Sequence, residues 1–542
     1  MAKKSRNNVH VGYCQCNPQA QLLEASRDAV LLLSSHFPEV LDLLFDLLQA
    51  TTAVSSKEFL SALDRYAPFT DLAALKAASA KPLRKCIRVN TLKTSIAAVQ
   101  ERAEELGWTL TPVPWCSEGF FIDREDRTEA IGKELLHLLG HVYLQEASSM
   151  LPPVMLGAQP GETVLDMCAA PGSKTTQIAA AMEDRGVIVA NEVQEKRMWT
   201  LNTSCQRSGV TNVILTKKVG QWFGKQMTEK FDRVLCDAPC TAQGTVRKDS
   251  EALDYCGPEN IGKMARLQTE LLEAAVHAAK VGGTIVYSTC TLTQEENEGV
   301  VLKILNKFSD QLEVVDPREL KIENGKLKID EAIEDSLIVQ KSLGGNFPFS
   351  IFNFQLPLMR LWPQTYDTEG FFCAVLQKKA STRSIERLPA VPRREERFAR
   401  AMEAEIRKRI TDMYGTDFLH EGELLVHRGD LVLLTTEAAT ALMMPVVDYS
   451  MGIPYAKGLK DGRFRITDEL AVARGMEATQ GTLVVGDSDL QELLEGQNIE
   501  CPENAEGDVI LQWNGIAVGR GLAKQGFLKN RLSRWMVQLK TG

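Results

Sequence analysis

Short apolar runs alternate with longer stretches of helical spacing through the middle of the chain, and this rhythm constrains the fold more than any other feature. The runs are Thr163-Val-Leu165, Val187-Ile-Val-Ala190, Val213-Ile-Leu215, Val234-Leu-Cys236, Thr284-Ile-Val-Tyr287 and Phe371-Phe-Cys-Ala-Val375. Strands that alternate with helices form βαβ units, and these build a parallel sheet with helices on both faces, an α/β core of the doubly wound kind. Ligands of such sheets bind beyond the carboxyl ends of the strands, so functional residues are expected just after each run.

The flanks read differently. Residues 1 to about 20 are polar, and Gln21 to Leu75 show helical spacing. Arg88-Val-Asn-Thr-Leu92 and Gly119-Phe-Phe-Ile122 read as strands, with a helix over Ser95–Leu106 between them. Lys379 to about residue 400 reads as a linker with a charged helix behind it, and the remainder as a compact, mainly β domain.

At the first strand end stands Asp166-Met-Cys-Ala-Ala-Pro-Gly-Ser-Lys-Thr-Thr176. Small residues let a ligand approach the backbone, and the amides of the next helix point at anionic groups. The pattern is neither a dinucleotide-binding turn nor a P-loop. It suits a small ligand with a carboxylate, such as S-adenosylmethionine, although a plain tight turn would look similar. The second strand ends in Ala190-Asn191-Glu192, where the acid can accept from ribose hydroxyls or serve a helix N-terminus.

Two later strands end in Cys236-Asp-Ala-Pro-Cys240 and Tyr287-Ser-Thr-Cys290. Isolated cysteines are commonly small buried hydrophobes. Two at separate strand ends, one beside Asp237, suggest covalent chemistry. Carbon 5 of cytosine is a poor nucleophile. A thiolate added to carbon 6 makes it enamine-like, and a carboxyl group can support N3 as charge develops. Thr293-x-x-Glu296 reads as a capping box that starts a helix just past Cys290, whose dipole would favour thiolate. Chemistry alone leaves the choice between Cys240 and Cys290 open.

Composition narrows the setting. The chain of 542 residues carries a net charge of −9, which argues against whole-surface nucleic-acid binding but permits a local basic face. Such a face is expected from Ile510 to Gly542, which lacks Asp and Glu but holds Arg520, Lys524, Lys529, Arg531, Arg534 and Lys540. No apolar run is long enough for a membrane span, and a cytoplasmic location is expected. Twelve cysteines in so long a chain do not read as a disulfide scaffold, and Cys14-x-Cys16 has no second ligand pair at a zinc spacing, so no metal is expected.

Together the motifs resemble the Nol/Nop/Sun family of RNA cytosine-C5 methyltransferases. The likeness rests on Arg88–Leu92, Gln145-Glu-Ala-Ser-Ser149, Asp166–Lys174, Asp237-Ala-Pro-Cys240 with Arg247-Lys-Asp249, Ser288-Thr-Cys290 and Gly370-Phe-Phe372, in the family's order. Pro82–Lys93, Pro114–Phe120 and Gln294–Glu298 are most similar to the F-type 16S rRNA subgroup.

The resemblance implies a Rossmann-like S-adenosylmethionine methyltransferase core, with Cys168, Ala169, Ala170, Pro171, Gly172, Ser173 and Lys174 cradling the methionine part. It implies Glu192 at the ribose, Asp237 facing both cofactor and base, Cys290 as nucleophile and Cys240 assisting product release. It also implies a tail, an N-terminal RNA-binding domain, a methyltransferase domain, a linker and a PUA-like RNA-binding domain over 1–20, 21–150, 151–378, 379–405 and 406–542. The expected partner is structured rRNA of the small subunit, bound by a monomer. A tRNA-modifying enzyme or a catalytically silent RNA-binding assembly factor are the alternatives. Two departures stand out: Val219 occupies the position of an acid that accepts from adenine, and Thr241-Ala-Gln-Gly244 replaces a more flexible Ser-Gly-Glu-Gly.

Overall fold

The computed structural model describes residues 60–125, 130–317, 356–384, 391, 393–459, 463–533 and 536–537. Residues 1–59, with Cys14 and Cys16, lie outside them, as do Arg534 and Lys540. The chain divides into two compact units, 1–72 and 73–542. In the first, Leu60–Tyr66 forms a 3-10 helix. Every sheet of the described residues belongs to the second.

An antiparallel sheet comes first. Its strands are β1 (Lys85–Val89), β2 (Trp108–Val113), β3 (Cys116–Arg124) and β4 (Val142–Leu144), in the order β2-β3-β1-β4. Helix α1 (Ile96–Glu105) lies between β1 and β2, and the Ser95 hydroxyl accepts from the Ala98 amide to cap it. The strand expected over Arg88–Leu92 ends at Val89, because Asn90 turns away: its side-chain amide donates to the carbonyls of Gly140 and Ser208.

The central sheet holds β5 (Thr163–Asp166), β6 (Val187–Asn191), β7 (Val213–Thr216), β8 (Phe231–Asp237), β9 (Ala279–Thr289), β10 (Leu312–Val314), β11 (Met359–Leu361) and β12 (Phe371–Lys378). All six apolar runs lie in it. Alternate residues feed two buried layers: Leu165, Val189, Val234 and Ile285 one, Val164, Ile188, Leu235 and Val286 the other. A sheet covered on both faces requires this continuous apolarity. The order β7-β6-β5-β8-β9 is parallel and reverses direction at β5, opening a crevice at the carboxyl ends.

One expectation fails here. β12 is antiparallel to β9, with Phe372 opposite Thr289. The start of β12, not its end, therefore faces the crevice, and Gly370 lies there by preceding the strand.

Helices α2 (Ser173–Ala181), α3 (Glu195–Ser208), α4 (Pro258–Ala278) and α5 (Glu298–Lys307) join these strands. Beyond the core, α6 (Arg400–Tyr414) and α7 (Asp468–Arg474) accompany two further five-stranded sheets. Ser450–Met451 pairs with β7 and extends the central sheet at its far edge. Among the described residues no helix is long and apolar enough to cross a membrane.

Candidate active site

The crevice has two ends, the one where the cofactor is expected and the one where the chemistry is expected. At the first, β5 leads through residues 167–172 into α2. Gly172 has φ +107°, and a Cβ there would meet Ser204 Cβ at 2.9 Å, so only glycine fits. The loop is tied at both sides: the Met167 amide donates to Leu235, the Ala169 amide to Asn191, and Arg197 to the Ala170 carbonyl at 2.7 Å. Cys168 is half-buried, Ala169 and Ala170 are buried, and Pro171 is exposed.

Asn191 carries no signal of its own in the sequence, yet it joins three strand ends. It donates to the carbonyls of Met167 and Lys218, and accepts from the Thr216 hydroxyl and the Lys218 amide. Glu192, beside it, accepts the Gln194 amide at 2.8 Å and lies 3.3 Å from Arg197. Both alternatives read for this acid thus stay chemically open, since a carboxylate has further acceptor sites. Val219 and Val193 are left 58% and 52% exposed just past the neighbouring strand ends.

Asp166 closes the base of this end. One oxygen accepts from Thr175 at 2.7 Å, while Oδ1 is buried without a hydrogen-bond partner. Burial, reinforced by the charge of Asp237, pushes the carboxyl up to about 7. An orphaned buried carboxyl oxygen, a glycine cradle and two exposed valines fit a cationic amino acid joined to a nucleoside.

At the chemistry end, Asp237 accepts from Ser288 at 2.7 Å and pairs with Lys174, also at 2.7 Å. Burial works against the Lys174 charge, but Asp237 more than offsets it and holds the ammonium above its ordinary pKa. Lys174 therefore bridges the loop of α2 to the end of β8. Cys240 and Cys290 meet with sulfurs 3.3 Å apart. That contact and burial raise the Cys240 thiol well above its usual pKa.

The capping box expected behind Cys290 is absent. Helix α5 starts only at Glu298, with Asn297 as its cap. The Glu296 carboxylate instead accepts from the Thr241 amide and hydroxyl, from Gln268 of α4 and from the Thr293 hydroxyl. Gln268 also holds the Pro239 carbonyl, and Gln243 bonds both Thr241 and Thr291. A helix dipole next to Cys290 is thus replaced by a buried side-chain network that clamps the two cysteine loops.

Backbone interlocking completes the clamp. The Gly244 amide donates to the Cys290 carbonyl, and the Gly370 amide to the Gly244 carbonyl. A Cβ on Gly244 would lie 2.1 Å from the Gly370 oxygen. Ala242, where a loss of flexibility is expected, adopts φ +58°. Arg247 is spent inside the protein, on Asp367 and on the carbonyls of Lys81, Pro82 and Thr368. Arg520 is likewise paired, with Asp468 and Asp508, and is not a free surface cation.

Two other motifs dock the N-terminal sheet. Arg88 donates to the Ser173 carbonyl and the Thr176 hydroxyl of α2, and Gln145 to Gln177.

Comparison with known proteins gives this geometry its context. Residues 153–377 match the model of the 16S rRNA methyltransferase RsmB/F family, and residues 56–147 that of the N-terminal domain of 16S rRNA methyltransferase RsmF. The chain is similar to the ribosomal RNA small subunit methyltransferase F of Vibrio cholerae, at 35% identity over 87% of this chain and 95% of the relative. For the enzyme of the same name from Vibrio atlanticus the values are 36%, 89% and 98%. For that of Aeromonas hydrophila they are 36%, 84% and 92%. Among solved structures, a methyltransferase homologue from Pyrococcus horikoshii is 34% identical, with a TM-score of 0.47 over 59% of this chain and 99% of that one.

Proposed function

Because the chain belongs to the RsmB/F family of 16S rRNA methyltransferases, which use S-adenosylmethionine, we propose that it methylates carbon 5 of a cytosine in that rRNA through a covalent adduct at Cys290. The contact between Cys240 and Cys290 carries this reading. The contact and burial raise the Cys240 thiol well above its usual pKa, which favours Cys240 as the protonated partner across the 3.3 Å sulfur contact. Together with the resemblance of Ser288-Thr-Cys290 to the family's Thr-Cys motif, this supports Cys290 as the sulfur that adds to carbon 6 of the base.

Asp237 supports N3 as charge develops there, and its ion pair with Lys174 is a nearby proton store. S-adenosylmethionine supplies the methyl group as an electrophilic sulfonium. After methyl transfer, carbon 5 gives its proton to water in the open crevice, the electron pair restores the carbon 5–carbon 6 double bond, and the carbon 6–sulfur bond breaks to release the Cys290 thiolate, to which the Cys240 thiol can return a proton. Residues 168–174 would hold the methionine part, Glu192 the ribose, and Val219 with Val193 the adenine face. We read residues 21–150 and 406–542 as RNA-binding, the latter PUA-like. Two five-stranded sheets and exposed Lys524, Lys529 and Arg531 support the second assignment.

RNA carrying 5-fluorocytosine at the target position tests the mechanism, because the fluorine cannot leave and the adduct persists. Denaturing gels should show the trapped complex with the parent and with Cys240→Ala, and none with Cys290→Ala. Trapping by Cys290→Ala but not by Cys240→Ala reverses the roles. Mapping of 5-methylcytosine in 16S rRNA from a deletion strain tests the substrate.

A further inference from the structure

The face of α3 turned away from the central sheet borders a cleft of about 560 Å³ that the mechanism leaves unused. Trp199, Thr203 and Arg207 follow one another at a spacing of four on this face, and Thr200 and Ser204 stand beside them. The opposite walls come from His137, Tyr143 and Leu144 of the N-terminal region and from Glu469, Val472 and Ser533 of the C-terminal region. Trp199 is 71% exposed at this cleft. At that exposure Trp199 adds little to the core, and its ring is left accessible at the cleft.

The chemistry of the walls restricts what can enter. Arg207 is fixed, donating to the His137 carbonyl at 2.9 Å and lying 5.3 Å from the centre of the Tyr143 ring. Asp468 is committed to Arg520 and Ser533. Glu469 adds a further carboxyl, raised by burial. A phosphate would meet two acids there. A flat aromatic ring with N–H donors on its edge would stack on Trp199 and offer those donors to Glu469. Phosphates attached to such a ring would lie outside the cleft, where exposed Arg531 stands two residues before Ser533 of the wall.

We infer that this cleft holds a nucleobase of the rRNA substrate outside its own helix, with Trp199 as the stacking platform. The site is separate from the two-cysteine crevice but joined to its cofactor loop, because the Tyr143 hydroxyl in the cleft wall bonds to the Pro171 carbonyl. The inference rests on rRNA being the substrate and not on the covalent chemistry. Fluorocytosine trapping reads that chemistry separately.

A 16S rRNA transcript substituted with 4-thiouridine, free and assembled into small subunits, is irradiated with the full-length protein, and the cross-linked peptides are mapped. Cross-links should fall within residues 195–207. Trp199→Ala should weaken binding of the same RNA roughly tenfold, while Trp199→Phe keeps most of it and S-adenosylmethionine binding is unchanged in both. The inference is overturned if Trp199→Ala binds RNA to within about twofold of the parent. It is also overturned if the 4-thiouridine cross-links map to other parts of the chain and none falls within residues 195–207.

Discussion

The two ends of the crevice are built in opposite ways. The cofactor end rests mainly on backbone, with small residues, one obligatory glycine and amides that bond to neighbouring strand ends, tied by the side chains of Asn191 and Arg197. The chemistry end is made of side chains: Thr241, Gln243, Gln268, Thr291, Thr293 and Glu296 share one buried network beneath the two cysteines. A ligand with fixed shape is served by a rigid turn. Two sulfurs from separate strands must be held at contact distance, and only groups that reach across strands can do that. The difference implies that damage to one end should leave the other working.

Glu296→Ala tests this most severely. It strips the acceptor from the Thr241 amide and hydroxyl and from the Gln268 and Thr293 donors. Buried groups left unsatisfied cost about 1–3 kcal/mol each before relaxation. We expect a loss of about 3 kcal/mol, roughly 6–12 °C in Tm by thermal unfolding. In the folded fraction, kcat should fall while cofactor affinity holds. An equal fall in both would show that the two ends are not independent.

Asp166→Asn probes the cofactor end through pH. The folded-state pKa of about 7 lies above the carboxylate's ordinary 3.8. The folded protein thus keeps a proton that the unfolded chain gives up. The resulting stability is full below the lower value and is lost as pH rises through the higher one. Without cofactor, the parent's Tm should drop between pH 5 and pH 8 by several degrees more than that of Asp166→Asn. Parallel curves would mean that Asp166 is already ionised.

Val219→Asp places an acceptor where the proposed adenine contact would lie. One hydrogen bond is worth about 0.5–1.5 kcal/mol, so S-adenosylmethionine should bind up to roughly tenfold tighter by calorimetry, with kcat little changed. Weaker binding would show that packing on Val219 outweighs the lost bond. Ala242→Gly is the smallest change and acts at the chemistry end. It relieves a left-handed residue, less the added freedom of glycine in the unfolded chain, for a net gain of about 1 kcal/mol or less. A small rise in Tm without a change in cofactor binding is expected.

What can be read from sequence divides in the same way. All six apolar runs are strands of one sheet, because burial on both faces demands uninterrupted apolarity and that demand is local. The turn at Gly172 is equally legible, since small residues after a strand have few other uses. The antiparallel direction of β12 is not, because strand polarity depends on how the chain returns and leaves no trace in apolar spacing. Thr293 and Glu296 mislead for a related reason. Their spacing matches a helix start, but Glu296 finds better donors on Thr241 and Gln268, which are distant in sequence.

By itself the sequence determined that a cysteine stands at each of two strand ends above a common crevice. Only the tertiary structure decided that their sulfurs touch, that the contact and burial raise the Cys240 thiol above its usual pKa, and that Arg247 and Arg520 serve the protein's interior. Strand periodicity is set within a few residues. Contact distances, the acidity of a thiol and the partner of a cation are set by groups that meet only once the chain has folded.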